Sequence, residues 1–386
     1  MAGFIHFLMS YETLRVIWWL LLGVLLIGFA VTDGYDLGVG ALLPFVARND
    51  EERRTVINVI GPTWEGNQVW LILGGGAIFA AYPPVYATAF SGFFIALILT
   101  LFALILRPVG FDYRSKVEHP TWRAFWDWAL FVGGAVPALV FGVAFGNLLL
   151  GVPFTFDQDL RMTYGGTFFG LLNPFGLLAG VVSLSMLVMH GGVLLQLRTE
   201  GEIQARAGRF ARLAALVMMG AFAVAGLAVA FIHGYRVVPG SLDPSGPSNP
   251  LHKLVTTAAG AWLANYGRFP WMAAAPALAL GGAALTWRLS GLNRPGWGFI
   301  ASALAVAGVI LTAGFSMFPF LIPSSSHPDA SLTAWDATSS LLTLQWMFWV
   351  TLILLPVVLT YTGWVFSKLR GTVSAEQIRR DSGNYY

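Results

Sequence analysis

Three acidic residues stand in stretches of sequence that are otherwise apolar: Asp33, Asp36 and Glu65. An ionisable side chain at membrane depth is costly and is rarely kept without a function. Asp33 and Asp36 are three residues apart, so a helix carries both on one face. Burial and mutual repulsion favour a proton on at least one of them, which suits a proton relay. The alternative is structural, with the acids only pairing with Arg48, Arg53, Arg54 or Arg107 at the membrane interface.

The residues around these acids also indicate a site buried in protein. Gly34, Gly38 and Gly40 flank the first two acids and allow a partner helix or a cofactor to approach the backbone. Glu65 belongs to the polar run WEGNQVW at 64–70, which ends at Trp70. A polar run inside an apolar span is expected to face protein or a water-lined space.

The sequence lacks the residues and motifs that other common kinds of functional site require. The chain has no cysteine, which excludes disulfides, iron–sulfur clusters and thiolate-bound haem or zinc. Of its six histidines, only His190 falls within a predicted membrane span, so a pair of intramembrane axial ligands for haem is missing. Signals for phosphate loops, Ser-His-Asp triads and zinc helices are absent as well, and no metal site is predicted.

The composition indicates that the segments that carry these acids lie in a lipid bilayer. Hydrophobic residues make up 56% of the 386 residues and charged residues only 11%, against roughly 25% charged in soluble domains. A nucleic-acid-binding protein would need far more basic surface, so we predict no nucleic-acid partner. Nine apolar stretches are long enough to cross the membrane. They lie near 16–39, 60–82, 84–108, 124–150, 166–197, 207–232, 268–289, 295–319 and 340–366.

The basic residues predict the orientation of these spans. With nine spans, all but five of the 22 Lys and Arg residues fall on one face, which the positive-inside rule makes cytoplasmic. The N-terminus is then periplasmic or otherwise extracytoplasmic, and the C-terminus is cytoplasmic. Among the extracytoplasmic connections, 233–267 and 320–339 are long. In the first, Pro250-Leu251-His252-Lys253 opens a stretch that is predicted to lie as a short amphipathic helix at the interface. The predicted fold is a single all-α membrane domain over 1–386, with two four-helix bundles and one peripheral helix.

Several long motifs occur along the chain: GFAVTDGYDLG at 28–38, WEGNQVW at 64–70, RPVGFDYRSK at 107–116, LNPFGL at 172–177 and ASLTAWDATSS at 330–340. With these motifs the chain resembles subunit II of the cytochrome bd-type quinol oxidases, a family that includes cyanide-insensitive variants. The resemblance covers nearly the whole chain and keeps the motifs in order. Family members commonly have Asp at the position of Glu65, so this chain keeps the carboxylate with one more methylene.

The resemblance implies a complex in a bacterial inner membrane that oxidises quinol and reduces dioxygen to water. Haem b and haem d are then expected on a partner, subunit I, and this chain holds no complete active site. A structural quinone in this chain, a small single-span accessory subunit and bound membrane lipid are further expectations. Haems bound only by subunit I agree with the absence of a pair of intramembrane histidines from this sequence.

Within that family, the resemblance and the residues together suggest roles for seven side chains. Asp33, Asp36 and Glu65 are candidates for a cytoplasmic proton relay, and Trp70 for the wall of an oxygen route. The candidates for organising an interface at the cytoplasmic rim are Arg107, Asp112 and Arg114. Two other functions stay open: a proton-coupled secondary transporter, which also uses buried acids and glycine-interrupted helices, and a purely structural membrane subunit.

Overall fold

Thirteen α-helices dominate the computed structural model, which describes residues 7–374, 376 and 378; the remaining ends of the predicted domain lie outside the described residues. Five short 3₁₀ helices and three two-stranded antiparallel hairpins lie between the helices. The helices are α1 (Tyr11–Val31), α2 (Asp33–Val46), α3 (Asp50–Ile60), α4 (Trp64–Ala81), α5 (Pro83–Gly92), α6 (Phe94–Tyr113), α7 (Pro120–Leu150), α8 (Pro174–Arg198), α9 (Gly201–Val229), α10 (Ala264–Arg268), α11 (Ala274–Gly291), α12 (Pro295–Met317) and α13 (Leu341–Lys368). The hairpins pair β1 (Phe154–Phe156) with β2 (Met162–Tyr164), β3 (His233–Val237) with β4 (Val255–Ala259), and β5 (Phe320–Ile322) with β6 (Leu332–Thr333).

The structure supports a polytopic membrane protein with fewer qualifying spans than predicted. Seven helical segments within the described residues are long and apolar enough to cross a membrane, or eight if the segment Ala261–Gly291, bent by 113°, is one span. Helices lie in all nine predicted regions. Helix α4 is not among these segments. The polar residues Glu65, Asn67 and Gln68, which stand among its first five residues, make it too polar to be counted as a membrane span.

Local sequence explains where the helices begin and break. The side chains of Ser10, Asn49 and Asn173 accept hydrogen bonds from backbone N–H groups in the first turns of α1, α3 and α8. Thr32, which separates α1 from α2, donates its hydroxyl to the Gly28 carbonyl, 2.7 Å away. The predicted helix that opens at 250–253 is wrong, since residues 250–252 form a turn and bend and the chain then continues into the strand β4.

Helix α2 lies at the centre of the molecule, against α7 and α8. Glycines permit this approach, as predicted: a Cβ atom added to Gly38 would lie 1.9 Å from the Leu187 carbonyl oxygen, and one on Gly134 of α7 would lie 2.4 Å from the Leu37 oxygen. Helix α6 packs on α7, while α9, α11 and α12 lie on the far side of α8, and α13 touches mainly α1 and α4. The backbone holding the two candidate aspartates is therefore fixed from two sides.

Substitution of Gly38 by alanine should destabilise the protein. The added methyl group meets backbone rather than a movable side chain, so α2 and α8 must separate, at a cost of about 1–3 kcal/mol for an overpacked core. A fall in the thermal midpoint of the purified protein measures this cost. Gly281→Ala in α11 is the matched control, because nothing lies within 4 Å of its added Cβ; equal midpoints for the two variants would contradict the packing.

The long connections at the predicted extracytoplasmic end are joined by buried charges. Lys253 Nζ lies 2.7 Å from Asp336 Oδ2 and donates to the Pro250 carbonyl at 2.8 Å. Desolvation lowers the pKa of Lys253, and the charge of Asp336 opposes that shift. The buried Arg15 of α1 donates to the Thr338 hydroxyl at 3.0 Å. These contacts anchor both connections to the first helix.

Candidate functional site

Asp33 is the first residue of α2, and its carboxylate is held by an arginine from α6. Arg107 Nη2 lies 2.7 Å from Asp33 Oδ1, and Nη1 lies 3.1 Å from Oδ2, so the pair is bidentate. Both side chains are buried. The Arg107 guanidinium also lies 5.7 Å from the centre of the Trp64 ring. Because both of its oxygens are engaged, Asp33 is a fixed counterion for Arg107.

Asp36, one turn further along α2, lies beside that pair with a different set of contacts. The Asn67 amide of α4 donates to Asp36 Oδ2 at 2.8 Å and to the Tyr35 hydroxyl oxygen at 2.7 Å. Asp36 Oδ1 is buried and has no hydrogen-bond partner. Thus two buried carboxyl groups share a single arginine, and a proton on Asp36 balances the charge of the cluster.

Asp36 and Arg107 also line a narrow space that leads away from the cluster towards α3. The space has a volume of about 10 Å³, and Val56 and Ile60 of α3 stand on its other side. That volume is close to the room that one water molecule needs. A water there would have Asp36 and Arg107 as polar neighbours on the side of the predicted cytoplasmic face.

Glu65 does not join the two aspartates. It lies in the first turn of α4 with its side chain exposed, whereas Asn67, two residues later, is buried against Asp36. Residues two apart point to widely different faces of a helix. The structure therefore brings together Asp33, Asp36 and Arg107, and leaves Glu65 on an outer surface of this chain.

Trp70 is buried, and its ring covers Gly28 of α1, where an added Cβ would lie 2.6 Å from the indole. Next to it, Leu71 and Phe29 line a large apolar cavity of about 390 Å³ between α1, α7, α8, α9 and α12. Tyr266 and Ser316 are polar residues in its lining. Trp70 itself is not part of the lining. It belongs to the same packed cluster as the lining residues Phe29 and Leu71.

At the predicted cytoplasmic rim, Arg114 is buried inside the chain. Its Nε lies 2.6 Å from Asp127 Oδ1 and its Nη2 lies 2.9 Å from Asp50 Oδ1. Arg53 reaches the same Asp127 at 2.7 Å. This network joins α3 and α7 to the short 3₁₀ helix Arg114–Lys116 that follows α6, while Asp112 in the last turn of α6 is exposed.

A second ion pair at this rim connects α3 with α9. Glu52 Oε1 lies 2.7 Å from Arg206 Nη2, and Glu52 Oε2 accepts from the Arg48 backbone N–H at 2.7 Å. Partial burial acts to raise the pKa of Glu52, but these two partners hold it below its usual value. The bond between α3 and α9 therefore keeps its charge at neutral pH.

His190 is buried in α8 with both ring nitrogens engaged. Nδ1 lies 2.7 Å from the Ser302 hydroxyl and Nε2 lies 2.9 Å from the Val31 carbonyl oxygen, while Phe299 stacks on the ring at 4.6 Å. Within the described residues, no group of three His, Asp or Glu side chains could hold a metal ion. The histidine acts as a connector between α1, α8 and α12.

Sequence reasoning missed Asn67 as a member of the site. Its signal was present, since Asn67 stands inside the polar run at 64–70. The run contains Glu65, Asn67 and Gln68 on different faces of one helix, and only the rotation of α4 selects Asn67 for contact with Asp36.

Comparison with known proteins identifies the family of this chain. The family model described as cytochrome bd terminal oxidase subunit II matches residues 14–369. Cytochrome bd-I ubiquinol oxidase subunit 2 of Escherichia coli (strain K12) is 55% identical over 380 residues, which covers 98% of this chain and 100% of the relative. The probable cytochrome oxidase subunit 2 of Haemophilus influenzae is 52% identical over 379 residues, with 98% and 100% covered.

A solved structure has the same fold at much lower identity. The bd oxidase from Geobacillus thermodenitrificans contains a chain that superposes with a TM-score of 0.64 and 19% identity, covering 92% of this chain and 98% of that one. Together with the match over 14–369, these comparisons make the assignment plain. The chain belongs to the cytochrome bd terminal oxidase subunit II family.

Proposed function

We propose that this chain acts as subunit II of a bd-type quinol oxidase, supporting a haem-bearing subunit I that oxidises quinol and reduces dioxygen to water. The main support for this proposal is the family match over residues 14–369. Relatives named as ubiquinol oxidase subunits also align with nearly the whole chain. The chain would stabilise subunit I, supply protons from the cytoplasm and contribute to oxygen access.

The residues of this chain do not fit a haem. His190 is the histidine at membrane depth within the described residues, and both of its ring nitrogens are already hydrogen-bonded. Haem b and haem d therefore belong on subunit I in this proposal. The apolar cavity does fit the body of a quinone, since 390 Å³ is within the usual range for ligand pockets and its few hydroxyl groups include Tyr266 and Ser316.

The proposed topology has nine spans, with two four-helix bundles formed by spans one to four and five to eight, and α13 at the periphery. Support comes from helices in all nine predicted regions and from the contacts of α13, which are mainly with α1 and α4. The charge distribution supports a bacterial inner membrane protein with its N-terminus outside and its C-terminus in the cytoplasm.

Two helices offer a surface for the haem-bearing partner. On α13, Trp346 is 66% exposed and Ile353 is 65% exposed, and on α4 Ile72 and Phe79 are exposed as well. Such a surface fits another apolar helix bundle, with a single-span accessory subunit as a smaller alternative occupant. Glu65 is exposed on the same helix α4 and Asp112 at the rim, where both would be within reach of a partner chain.

For proton supply we assign the central role to Asp36. The Oδ1 atom of Asp36 is buried and has no hydrogen-bond partner. The residue also borders a space near the size of one water molecule. Asp33, fixed by Arg107, keeps the local charge balanced while Asp36 gains and loses a proton. Glu65 would carry protons between this cluster and groups of subunit I. For oxygen, the apolar cavity beside Trp70 admits a nonpolar gas more readily than ions.

The assignment is tested by the visible spectrum of the gently purified complex. Bands of both haem b and haem d, together with a second large membrane chain, are expected. A haem-free preparation that catalyses substrate flux in liposomes would instead favour a transporter.

Replacement of Glu65 by glutamine should slow quinol-dependent oxygen uptake while haem content stays unchanged, because the amide keeps the size of the side chain and loses the proton. Oxygen-electrode assays with normalised haem content measure the change. Glu118→Gln, in an exposed connection at the same end, is the matched control. Equal turnover of the two variants would remove Glu65 from the relay.

A further inference from the structure

Arginines cluster at the ends of α9 and α11 that lie at the predicted cytoplasmic face. Arg212 of α9 reaches across to α11, where its guanidinium lies 5.0 Å from the centre of the Trp287 ring. A Cβ added to Gly291 would lie 3.4 Å from Arg212 Cζ, so the glycine leaves room for the flat guanidinium. Arg209, one turn before Arg212 on α9, is exposed. Arg288, which directly follows Trp287 on α11, is exposed as well.

These arginines are not neutralised within the described part of the chain. Among the described residues, no carboxylate forms an ion pair with Arg209, Arg212 or Arg288, whereas Arg206 on the same helix pairs with Glu52 at 2.7 Å. Arg212 Nε is buried and has no hydrogen-bond partner. Helices α8, α11 and α12, which pack around this end of α9, contain no Asp or Glu. Helix α3 is acidic at its start, but its Asp50 and Glu52 pair with Arg114 and Arg206. The cluster therefore presents uncompensated positive charge.

Exposed apolar side chains continue directly from the cluster towards the membrane interior. Leu213 is 57% exposed and Leu216 is 50% exposed on α9, and Leu285 is 48% exposed on α11. Leu216 is one turn from Arg212, and Leu285 is one turn from Arg288, so each lies on the same side of its helix as the nearby cation. Trp287 stands between the two zones, at the depth where tryptophan anchors helices to the membrane interface.

We propose that this cluster is a binding site for an anionic phospholipid. Its headgroup phosphate would lie against Arg209, Arg212 and Arg288, and its acyl chains along Leu213, Leu216 and Leu285. Basic pockets between membrane helices at the cytoplasmic side hold anionic headgroups by charge and donated hydrogen bonds. The inference is independent of the oxidase activity, since it rests on the placement of charge and apolar surface.

Native mass spectrometry of the delipidated whole complex tests the site. Phosphatidylglycerol is expected to be retained in preference to phosphatidylcholine of the same chain length. The double variant Arg212→Gln/Arg288→Gln should weaken retention of phosphatidylglycerol by roughly fivefold for each charge removed. Arg268→Gln is the control, because Arg268 also lies over an aromatic ring, Phe269 at 5.2 Å, but it is the last residue of α10, which precedes the N-terminal end of α11. It should leave retention unchanged.

Three results would overturn the proposal. The first is equal retention of the two lipids by the parent complex, a comparison that needs no variant to fold. The second is undiminished retention of phosphatidylglycerol by a double variant whose thermal midpoint matches the parent. The third is complete displacement of phosphatidylglycerol by millimolar inorganic phosphate, which would identify a site for free phosphate rather than lipid.

Discussion

Replacement of Arg107 by methionine should cost about 3–5 kcal/mol of stability, since it leaves the buried carboxylate of Asp33 without its counterion. Arg107 is the only cation paired with either aspartate within the described residues, and its two hydrogen bonds to Asp33 are 2.7 and 3.1 Å long. Methionine keeps much of the side-chain volume, so lost charge rather than lost packing dominates. The thermal midpoint of the purified complex should fall by several degrees.

The matched control is Arg123→Met. Arg123 pairs with Asp50 at 2.8 Å, but the two side chains are 25% and 39% exposed, and an exposed pair contributes only about 0–1 kcal/mol. The double variant Asp33→Asn/Arg107→Met should recover part of the loss, because no buried charge is then left alone. Equal losses for Arg107→Met and Arg123→Met, or no recovery in the double variant, would contradict the buried pair.

Asp36→Asn should lower quinol-dependent oxygen uptake by about a hundredfold, the lower end of what a positioned proton-transfer group contributes. The asparagine oxygen can still accept the hydrogen bond from Asn67, so the local structure and the haem content of the complex should be kept. What is lost is the ability to gain and release a proton at this position. Steady-state oxygen consumption, with haem spectra recorded on the same samples, measures the effect.

Asp159→Asn serves as the control for that variant, because Asp159 is exposed in the connection between β1 and β2, far along the chain from the cluster. It should retain the parent rate. Parent-like turnover in Asp36→Asn would favour the structural alternative, in which Asp33, Asp36 and Arg107 only hold α2 against α6.

The sequence predicted the burial of Asp33 and Asp36 correctly, because charged residues in a long apolar stretch are conspicuous. It also named Arg107 among the alternatives for a partner, and the glycines near the aspartates as a point of close helix approach. What it left open was the choice among arginines. Arg53 and Arg114 bond to Asp127 instead, and that choice depends on how α3, α6 and α7 are rotated against one another.

Glu65 shows the limit of reasoning from depth alone. The sequence grouped it with the two aspartates as an acid within the membrane, and the structure places it on an exposed face of α4 with Asn67 turned inwards. In an apolar helix nearly every face can be buried or exposed to lipid, so periodicity does not define an inner side. The short hairpins and the turn at 250–253 were also missed, because tertiary contacts such as that between Lys253 and Asp336 shape them.

The central claim, that Asp36 carries protons from the cytoplasm for oxygen reduction, is tested most directly by proton uptake after an oxygen pulse. The reduced complex would be reconstituted in liposomes with its cytoplasmic face towards a pH-sensitive dye. Proton uptake in the parent should accompany oxygen reduction, and in Asp36→Asn it should slow about as much as turnover does. Uptake at the parent rate in a fully assembled Asp36→Asn complex would contradict the claim.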